Sequence, residues 1–503
     1  MDARTARAAR ISPAAGRRLV PWLLLAAAAC AVGPTYRPAP VVPERTPIVA
    51  TAGADSSRAF FDSLARARTA DSGRTTRPAA RAVTMQSLAD LAWLDILNDT
   101  ALTSLVRTAV AQNRDVALAE ARIREYRANA DAVTGALFPR VTLNASASTN
   151  QAVFGASPPA RYDALRMTGD VAWELDFWGR ARRGQEAVAA DLASQQAAER
   201  AAVLSLVSDV ASGYLQLLEL DQEQDVAKRT LASRQATLEL ARQRFAQGIV
   251  SELDVRQFEA QLAVPAARLA QVERLRAQQE HALNLLLGEG PAPVMRGGTL
   301  VSASRAVTVP DSLPASLIAR RPDVIQADRA VAGAVARVGI AEAARLPAVS
   351  LSGFFGGQSP SGGQLFDPGS KVYQLQAGIS FPLYTGGRLK NEEAAAQARA
   401  DQAQAAYEKT ALAAMREAGD ALVGVRTSRD EVAANETQAG ALRRAADLAL
   451  LRYRSGISSY LEVLDAQRSL FDAELALSQA RLRELTAAVQ LYKALGGSWN
   501  QRP

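Results

Sequence analysis

The sequence predicts a mainly α-helical chain that also contributes strands to a transmembrane β-barrel, with two structural repeats in each chain. Three observations lead to this fold class: segments that recur at a fixed offset of 208 residues, very long helical segments, and short segments in which apolar and polar residues alternate. One offset held over about 150 residues indicates a duplicated structural unit. The recurring segments are 138–143 with 346–351, 179–180 with 387–388, 244–249 with 452–457, and 286–288 with 494–496.

Each repeat has the same predicted order of elements, and we expect each half of the chain to form one structural unit. A first helix is followed by two strands, and a very long helix of ~100 Å then reverses at a glycine-containing turn into a return helix. In the last return helix, residues from Leu461 to Tyr492 form a heptad seam whose apolar character is broken only by Arg468 and Ser478. The predicted repeats are 86–290 and 291–497, with a tail at 498–503; the helices are 113–136, 179–247, 251–287, 321–345, 387–455 and 459–495.

The predicted strands are about 139–150, 166–178, 347–358 and 372–384. In the second of them, apolar side chains alternate with polar ones, which is the pattern of a barrel strand with one face toward lipid and the other toward the lumen. An ordinary half-buried strand is the alternative for any one segment. Four strands do not close a barrel, because the smallest barrels have about 8, so three copies would supply twelve. The acidic residues expected to face the lumen, and to bias passage toward cations, are Asp170, Glu174 and Asp176.

The only cysteine of the chain, Cys30, follows an arginine-rich start and a short apolar run. The run is too short to span a bilayer and is typical of a signal peptide. Small residues before Cys30 resemble a lipobox, so we expect residues 1–29 to be a lipoprotein signal peptide and Cys30 to carry a covalent lipid. A plain secretory signal is the alternative. Residues 30–85 are expected to form the lipidated N-terminus and a flexible linker.

Composition excludes several classes of function. Residues 1–29 contain five arginines and one aspartate, so removing them lowers the formal net charge from +7 to +3, which gives little support for nucleic-acid binding. With one cysteine and one histidine, His281, the chain offers no zinc cluster and no catalytic Ser–His–Asp or Cys–His set. We interpret His281 as a packing residue. Neither a metal nor a cofactor is expected, apart from the lipid.

Several motifs together resemble the TolC-like outer-membrane factors, in the lipoprotein branch that serves tripartite efflux systems. They span residues 30–500 apart from about 41–85. The matching stretches are Cys30 with 33–38, then 88–93, 112–115, 178–180, 320–323, 381–388, 464–468 and 492–499.

The resemblance implies a homotrimer in the outer membrane, with a twelve-stranded barrel over a twelve-helix periplasmic tunnel. It implies an exit duct that does no chemistry and conducts small molecules from a periplasmic adaptor and an inner-membrane pump of the resistance-nodulation-division type. By motif, the periplasmic gate consists of Leu461, Asp465 and Arg468, with Tyr453 as a further member. The alternative for Asp465 and Arg468 is a surface pair three residues apart on one helix.

The resemblance also implies that the helix turns contact the adaptor, although shared turn geometry alone also explains their glycines. The expected contact residues are Arg244, Gly248, Val250 and Ser251 in the first repeat and Arg452, Gly456, Ile457 and Ser458 in the second.

Three other functions stay open at this point. A type I protein-secretion channel would have the same fold, but the lipobox and the residues 495–499, Leu-Gly-Gly-Ser-Trp, argue against it. A periplasmic adaptor also has long helical hairpins but lacks alternating lipid-facing strands. An exported enzyme with coiled-coil arms lacks support because no catalytic constellation is present.

Overall fold

The computed structural model describes residues 31–36, 47–49, 99–152, 160–303 and 312–497. The long helices in these ranges are α1 (Thr100–Gln112), α2 (Arg114–Thr134), α3 (Arg180–Ala246), α4 (Glu252–Leu287), α5 (Pro322–Ala343), α6 (Arg388–Arg454) and α7 (Tyr460–Ala494). The strands are β1 (Pro47–Val49), β2 (Arg140–Ala152), β3 (Ala160–Leu175), β4 (Ser312–Pro314), β5 (Ala348–Ser359) and β6 (Lys371–Ser380). Cys30, the signal peptide, most of the linker and the 498–503 tail lie outside the described residues.

The internal repeat predicted from the sequence is present in the structure. Helices α3 and α6 each contain 67 residues, and both ends of one are offset from the other by 208. Glycines with positive φ occur in three pairs at the same offset, 179/387, 248/456 and 288/496. A left-handed backbone strains any residue with a Cβ atom, so glycine fixes the same boundaries in both repeats. The predicted ends of the long and return helices are confirmed to within one residue.

The compact units of the fold cut across the two structural repeats. One unit, called the sheet unit here, contains the described residues of 31–36, 122–196 and 326–407. The other, the helix unit, contains those of 47–49, 99–121, 197–325 and 408–497. Each takes equivalent stretches from both repeats because β3 pairs with β5 and because both repeats bury apolar side chains in common clusters.

The sheet unit contains a four-stranded antiparallel sheet in the order β2–β3–β5–β6. β2 and β6 are its edges, and within the described ranges neither pairs with another strand on its outer side. The four predicted strands are all present, but β3 begins at Ala160 and ends at Leu175, and β6 ends at Ser380. Pro382 lacks the N–H that a longer ladder needs, which is a physical reason for the early end of β6.

One face of this sheet is apolar and exposed. Residues directly opposite each other in an antiparallel pair share a face, and one such row runs through Val141, Val171, Gly353 and Leu375. Soluble proteins rarely leave a contiguous apolar surface of this kind uncovered. The face includes Val141, Leu143, Phe355, Tyr373, Leu375 and Ile379, each more than 60% exposed.

The N-terminal stretch 31–36 is packed on the sheet unit. The Val32 amide donates to the Trp178 carbonyl at 3.0 Å, Arg183 donates to the Val32 carbonyl at 3.3 Å, and the Tyr36 hydroxyl donates to Asp328. Burial raises the pKa of Tyr36, so its hydroxyl keeps the proton that it donates. Further along, β1 pairs with β4. Within the stretch predicted as a linker, residues 47–49 thus form a strand pair, and the flexibility of the rest stays a prediction.

The helix unit is held together by apolar clusters in which alanine lets helices approach closely. The largest cluster joins α1, α3 and α7 around Val210, Tyr214 and Leu485, all at most 1% exposed. Helix α4 continues through Pro265 without a break. His281 is exposed, which corrects its interpretation as a packing residue. Alanines on the long helices with at most 1% exposure include Ala211, Ala227, Ala241, Ala411, Ala414, Ala418 and Ala439.

The predicted seam of α7 is wrong near the start of the helix. Val463 and Gln467 are buried there, whereas Leu461 and Arg468 are exposed. An α-helix has 3.6 residues per turn, so a face defined by a strict seven-residue repeat drifts by about 20° in each heptad. The seam positions Phe471, Ser478, Leu485 and Val489 are buried as predicted.

Equivalent side chains in the two repeats tie the return helices to the first helices. Asn113 donates from Nδ2 to the Leu286 carbonyl at 2.9 Å, and Arg321 donates to the Ala494 carbonyl at 3.1 Å. The two donor residues are 208 positions apart in the sequence, and so are the two acceptor residues. Arg321 is buried and also pairs with Glu417 at 2.7 Å, and hydrogen bonds to its acidic neighbours raise its pKa although burial opposes this. Equivalent positions in the two repeats therefore both tie a return helix to a first helix, through a neutral amide in one repeat and a guanidinium in the other.

Candidate functional site

The two helix turns that were predicted to contact the adaptor share one backbone geometry. We call residues 247–251 the first turn and residues 455–459 the second turn. In the first turn, the Gly248 amide donates to the Phe245 carbonyl at 2.9 Å and the Ile249 amide donates to the Arg244 carbonyl at 2.9 Å. This is a Schellman motif with glycine at the left-handed position.

The second turn repeats the motif. The Gly456 amide donates to the Tyr453 carbonyl at 3.0 Å, and the Ile457 amide donates to the Arg452 carbonyl at 2.9 Å. Gly248 and Gly456 have φ values of 73° and 72°. Ile249 and Ile457, which follow them, are exposed in both turns. The glycines are thus explained by the turn, while the apolar residues after them are left without a partner in the described chain.

The start of each return helix differs between the repeats. Ser251 caps α4 in a capping box, since its Oγ accepts from the Asp254 amide and its amide donates to the Asp254 carboxylate. In the second turn, Ser459 occupies the equivalent N-cap position, but its side chain makes no capping hydrogen bond. Val250 and Ser458 occupy equivalent positions just before the caps, and both are partly buried.

Arg244 joins the ends of the two long helices, α3 and α6. Its guanidinium donates to the carbonyls of Tyr453 and Arg454, at 2.9 Å and 2.8 Å, and lies 4.7 Å from the centre of the Tyr453 ring. The last carbonyls of a helix lack intrahelical donors, and a cation there also complements the helix dipole. This contact was not predicted, because main-chain acceptors leave no signal in a sequence.

Tyr453 is buried rather than exposed at a lumen. It is 2% exposed, and its ring lies 6.1 Å from that of Phe258 within a cluster that both repeats supply. Burial raises the pKa of Tyr453, with Arg244 acting in the opposite direction. The structure therefore places this predicted gate residue in the packing beneath Arg244.

The other three predicted gate residues lie on the exposed side of α7. Arg468 Nη2 lies 3.8 Å from Asp465 Oδ1, and the two side chains are 66% and 75% exposed. Leu461 is also exposed. Within one chain, Asp465 and Arg468 thus form the surface pair that was the alternative interpretation, and Tyr453 is not among their contacts.

The predicted lumen residues occupy two kinds of position. Asp170 and Glu174 lie on the polar face of β3, where Asn144 donates to Asp170 at 2.8 Å and Arg180 pairs with Glu174 at 2.6 Å. Asp176 is not in the strand: its carboxylate accepts from the Ala181 and Arg182 amides at 3.0 Å and 2.9 Å and caps α3, so its assignment to the lumen face is wrong.

The expected cation bias also loses support. Along the four strands of this sheet, the polar face carries two acidic residues and two arginines, so it has no net negative charge. These residues are Arg140, Arg166, Asp170 and Glu174. Within the described ranges, no three His, Cys, Asp or Glu side chains are grouped so as to hold a metal ion.

The family model for the outer membrane efflux protein matches residues 105–289 and 313–497. The two matched segments are offset by 208 residues, as are the repeats. The chain belongs to the outer membrane efflux protein family. It lies in the outer membrane, and its fold is that of the family's channels: long periplasmic helices and a transmembrane antiparallel sheet.

Individual members of the outer membrane efflux protein family agree with this assignment. The toluene efflux pump outer membrane protein TtgC of Pseudomonas putida is 34% identical over 423 residues, which cover 82% of this chain and 86% of the relative. The antibiotic efflux pump outer membrane protein ArpC of Pseudomonas putida has the same identity and coverage. The solved structure of the outer-membrane channel OprN is 29% identical, with a TM-score of 0.79, and covers 93% of this chain and 100% of that one. The protein is thus the outer-membrane exit duct of an efflux pump, not an adaptor, and its family is not one of enzymes.

Proposed function

We propose that three copies of this chain close a twelve-stranded barrel that conducts small molecules out of the cell. The observation that carries the proposal is the sheet β2–β3–β5–β6, with one exposed apolar face and two edges that pair with no other strand of the described ranges. An open edge is a template for pairing, and a strand pair between β6 of one copy and β2 of the next removes all edges in a closed ring. Closure also places the apolar face against lipid and the polar face toward the lumen.

The helix turns are the proposed site of contact with a periplasmic adaptor. Both expose large apolar side chains beside charged ones, which is the composition of a protein-binding surface. The adaptor in turn links the duct to an inner-membrane pump of the resistance-nodulation-division type. The residues in and beside the turns that are proposed to contact the adaptor are Arg244, Gly248, Val250, Ser251, Arg452, Gly456, Ile457 and Ser458.

The gate is proposed to lie on α7, at Leu461, Asp465 and Arg468. The two repeats differ at these positions: the equivalents of Asp465 and Arg468 on α4 are Gln257 and Ala260. In a trimer, three charged pairs would alternate around the axis with three uncharged positions. Charges at a constriction attract or repel across the axis, so small rotations of α7 change the opening. Tyr453 would act indirectly, by fixing the end of α6.

The transported compounds are proposed to be small organic molecules, as the names of the toluene and antibiotic efflux relatives suggest. These relatives favour efflux over type I protein secretion. The duct itself is proposed to perform no chemistry and to hold no cofactor, with the energy supplied by the pump.

A lipid on Cys30 is proposed as an anchor. The next residue, Ala31, lies against Gly179, at the junction between the end of β3 and the start of α3. An acyl chain attached one residue earlier therefore starts beside the end of the sheet that we place in lipid. The variant Cys30→Ser is expected to lose incorporation of a radioactive fatty acid, and incorporation that persists would contradict the anchor.

Native mass spectrometry of the protein extracted in detergent from outer membranes tests the assembly. We expect three chains, each beginning at Cys30 and carrying acyl mass. A monomer that is released without detergent would contradict the closed barrel. A trimer of unacylated chains would leave the barrel in place and remove the anchor.

A further inference from the structure

The contact made by Arg244 exists once in the chain, although the residues for it exist twice. Arg244 belongs to the first repeat, and its acceptors, the carbonyls of Tyr453 and Arg454, belong to the second. At the offset of 208, the equivalent of Arg244 is Arg452, and the equivalents of Tyr453 and Arg454 are Phe245 and Ala246. The second set therefore contains a guanidinium, an aromatic ring and two carbonyls at a helix end.

The first set is complete. Arg244 covers the Tyr453 ring and donates two hydrogen bonds to the end of α6, and Tyr453 is 2% exposed. A guanidinium donates two bonds in a fixed fork, so it joins two neighbouring carbonyls better than an ammonium does. The contact thus holds the end of one long helix to the end of the other.

In the second set, the arginine and the aromatic ring are both exposed. Phe245 is 45% exposed, although it corresponds to the buried Tyr453. The Arg452 side chain is 55% exposed, and its Nε atom lies 3.7 Å from Glu462 Oε2, which is itself exposed. An ion pair between two exposed side chains contributes little to stability, so Arg452 is readily available to another partner.

A neighbouring copy of the chain supplies that partner if the copies form a ring in which first and second repeats alternate. If the first repeat contacts the second within each copy, the second repeat of one copy must meet the first repeat of the next. Head-to-tail contacts of this kind close into a ring when the rotation permits. The backbone at both turns is the same Schellman motif, so both junctions present carbonyls in the same arrangement.

We infer that Arg452 of one copy donates to the Phe245 and Ala246 carbonyls of the next copy and covers its Phe245 ring. This inference rests on the proposed trimer. It assigns a second copy of the same chain as the occupant of the surface formed by Phe245 and Ala246.

The junction between copies is expected to be looser than the junction within a copy. Within the chain, Phe258 packs beside Tyr453 and is 2% exposed. The equivalent of Phe258 is Ala466, which offers the Phe245 ring much less apolar surface. The arginine therefore makes a larger part of the contact between copies.

Two chains with different affinity tags, expressed together, test the inference. One chain carries Arg452→Cys and the other carries Ala246→Cys, so a disulfide between them joins two copies only. We expect oxidation of outer membranes to give a dimer that contains both tags. The matched control places Arg244→Cys on one chain and Arg454→Cys on the other; because that contact lies within one chain, we expect no mixed dimer. Each single variant, with Cys30 present, gives the background.

An amine-reactive cross-linker applied to the same membranes separates two kinds of failure. A trimer without the Arg452→Cys/Ala246→Cys dimer overturns the inference and leaves the trimer in place. If no trimer forms with the amine reagent, the proposed assembly fails as well. Equal dimer from the test pair and the control pair also overturns the inference, because the contact would then not distinguish the two junctions.

Discussion

Tyr214 donates from its hydroxyl to Asp99 Oδ2 at 2.7 Å, and the same hydroxyl accepts the Gly297 amide at 2.9 Å. Asp99 in turn caps α1, since its Oδ1 accepts from the Ala101 and Leu102 amides. Burial raises the pKa of Tyr214, so the hydroxyl keeps the proton that it donates. One buried side chain therefore joins α3, the start of α1 and the loop after α4.

Replacing Tyr214 by phenylalanine is expected to lower the free energy of unfolding by about 0.5–1.5 kcal/mol, because the partly buried Asp99 carboxylate and the Gly297 amide each lose a hydrogen bond. Thermal unfolding followed by circular dichroism measures the effect. Tyr373→Phe is the control, since Tyr373 is 80% exposed. Equal stability of the two variants would contradict the role given to the Tyr214 hydroxyl.

Glu219 makes the stability of the helix unit depend on pH. It is 5% exposed on α3, and burial and the neighbouring Glu223 raise its pKa from 4.5 to about 8, while Ser478 and Arg268 act in the opposite direction. The folded state therefore binds a proton that the unfolded state releases. The stability contributed by neutral Glu219 is complete below pH 4.5 and is lost as the pH rises through about 8.

Glu219→Gln is expected to remove this loss. The difference in the free energy of unfolding between the variant and the unchanged protein should grow from pH 4.5 to about 8 in favour of the variant, by an amount on the order of a few kcal/mol. Glu239→Gln, an exposed change on the same helix, controls for the altered charge. A difference that stays constant with pH would show that Glu219 is ionised in the folded protein.

Gly179 and Gly387 provide a matched pair at the start of the long helices, with φ of 79° and 82°. Alanine is strained by about 1–2 kcal/mol at either position. A Cβ atom at Gly179 would also lie 2.9 Å from Ala31 Cβ, whereas at Gly387 the nearest atom is 3.7 Å away. Only Gly179→Ala should therefore accelerate hydrogen exchange of the Val32 amide. The same acceleration in Gly387→Ala would mean that backbone strain, not the contact with Ala31, is responsible.

The gate proposal predicts a change in conductance. Replacing both Asp465 and Arg468 by alanine should raise the single-channel conductance in planar bilayers, because the charged pair at the constriction is lost. Gln257→Ala, at the equivalent position of the first repeat, should leave it unchanged. If neither variant alters conductance, the constriction lies elsewhere.

The helix boundaries were predictable because they depend on local chemistry. Glycines at 179, 248 and 288 recur at 387, 456 and 496, and serines precede both return helices. The face of β3 was also predictable from its alternation. The alternation continued one step too far, to Asp176, because a helix cap and a polar strand position select the same residue type.

Features that depend on distant main chain or on other copies were not predictable. Nothing in the residue pattern marks the carbonyls that Arg244 and Arg321 bind, and the compact units cross the repeats because pairing between β3 and β5 is a long-range event. The exposed Leu461 and Arg468 were placed in a seam because their spacing fits one, although a single chain does not bury them.

The equal length of α3 and α6 constrains how this protein can evolve. A deletion of one residue in α3 alone would withdraw its turn by about 1.5 Å and rotate it by about 100°, which separates Arg244 from the end of α6. An insertion of one residue in α6 alone displaces the two helix ends relative to each other in the same direction and by the same amount. Changes in length are therefore tolerated when both helices acquire them together. The two halves of the gene thus have to keep these helices equal in length long after their duplication.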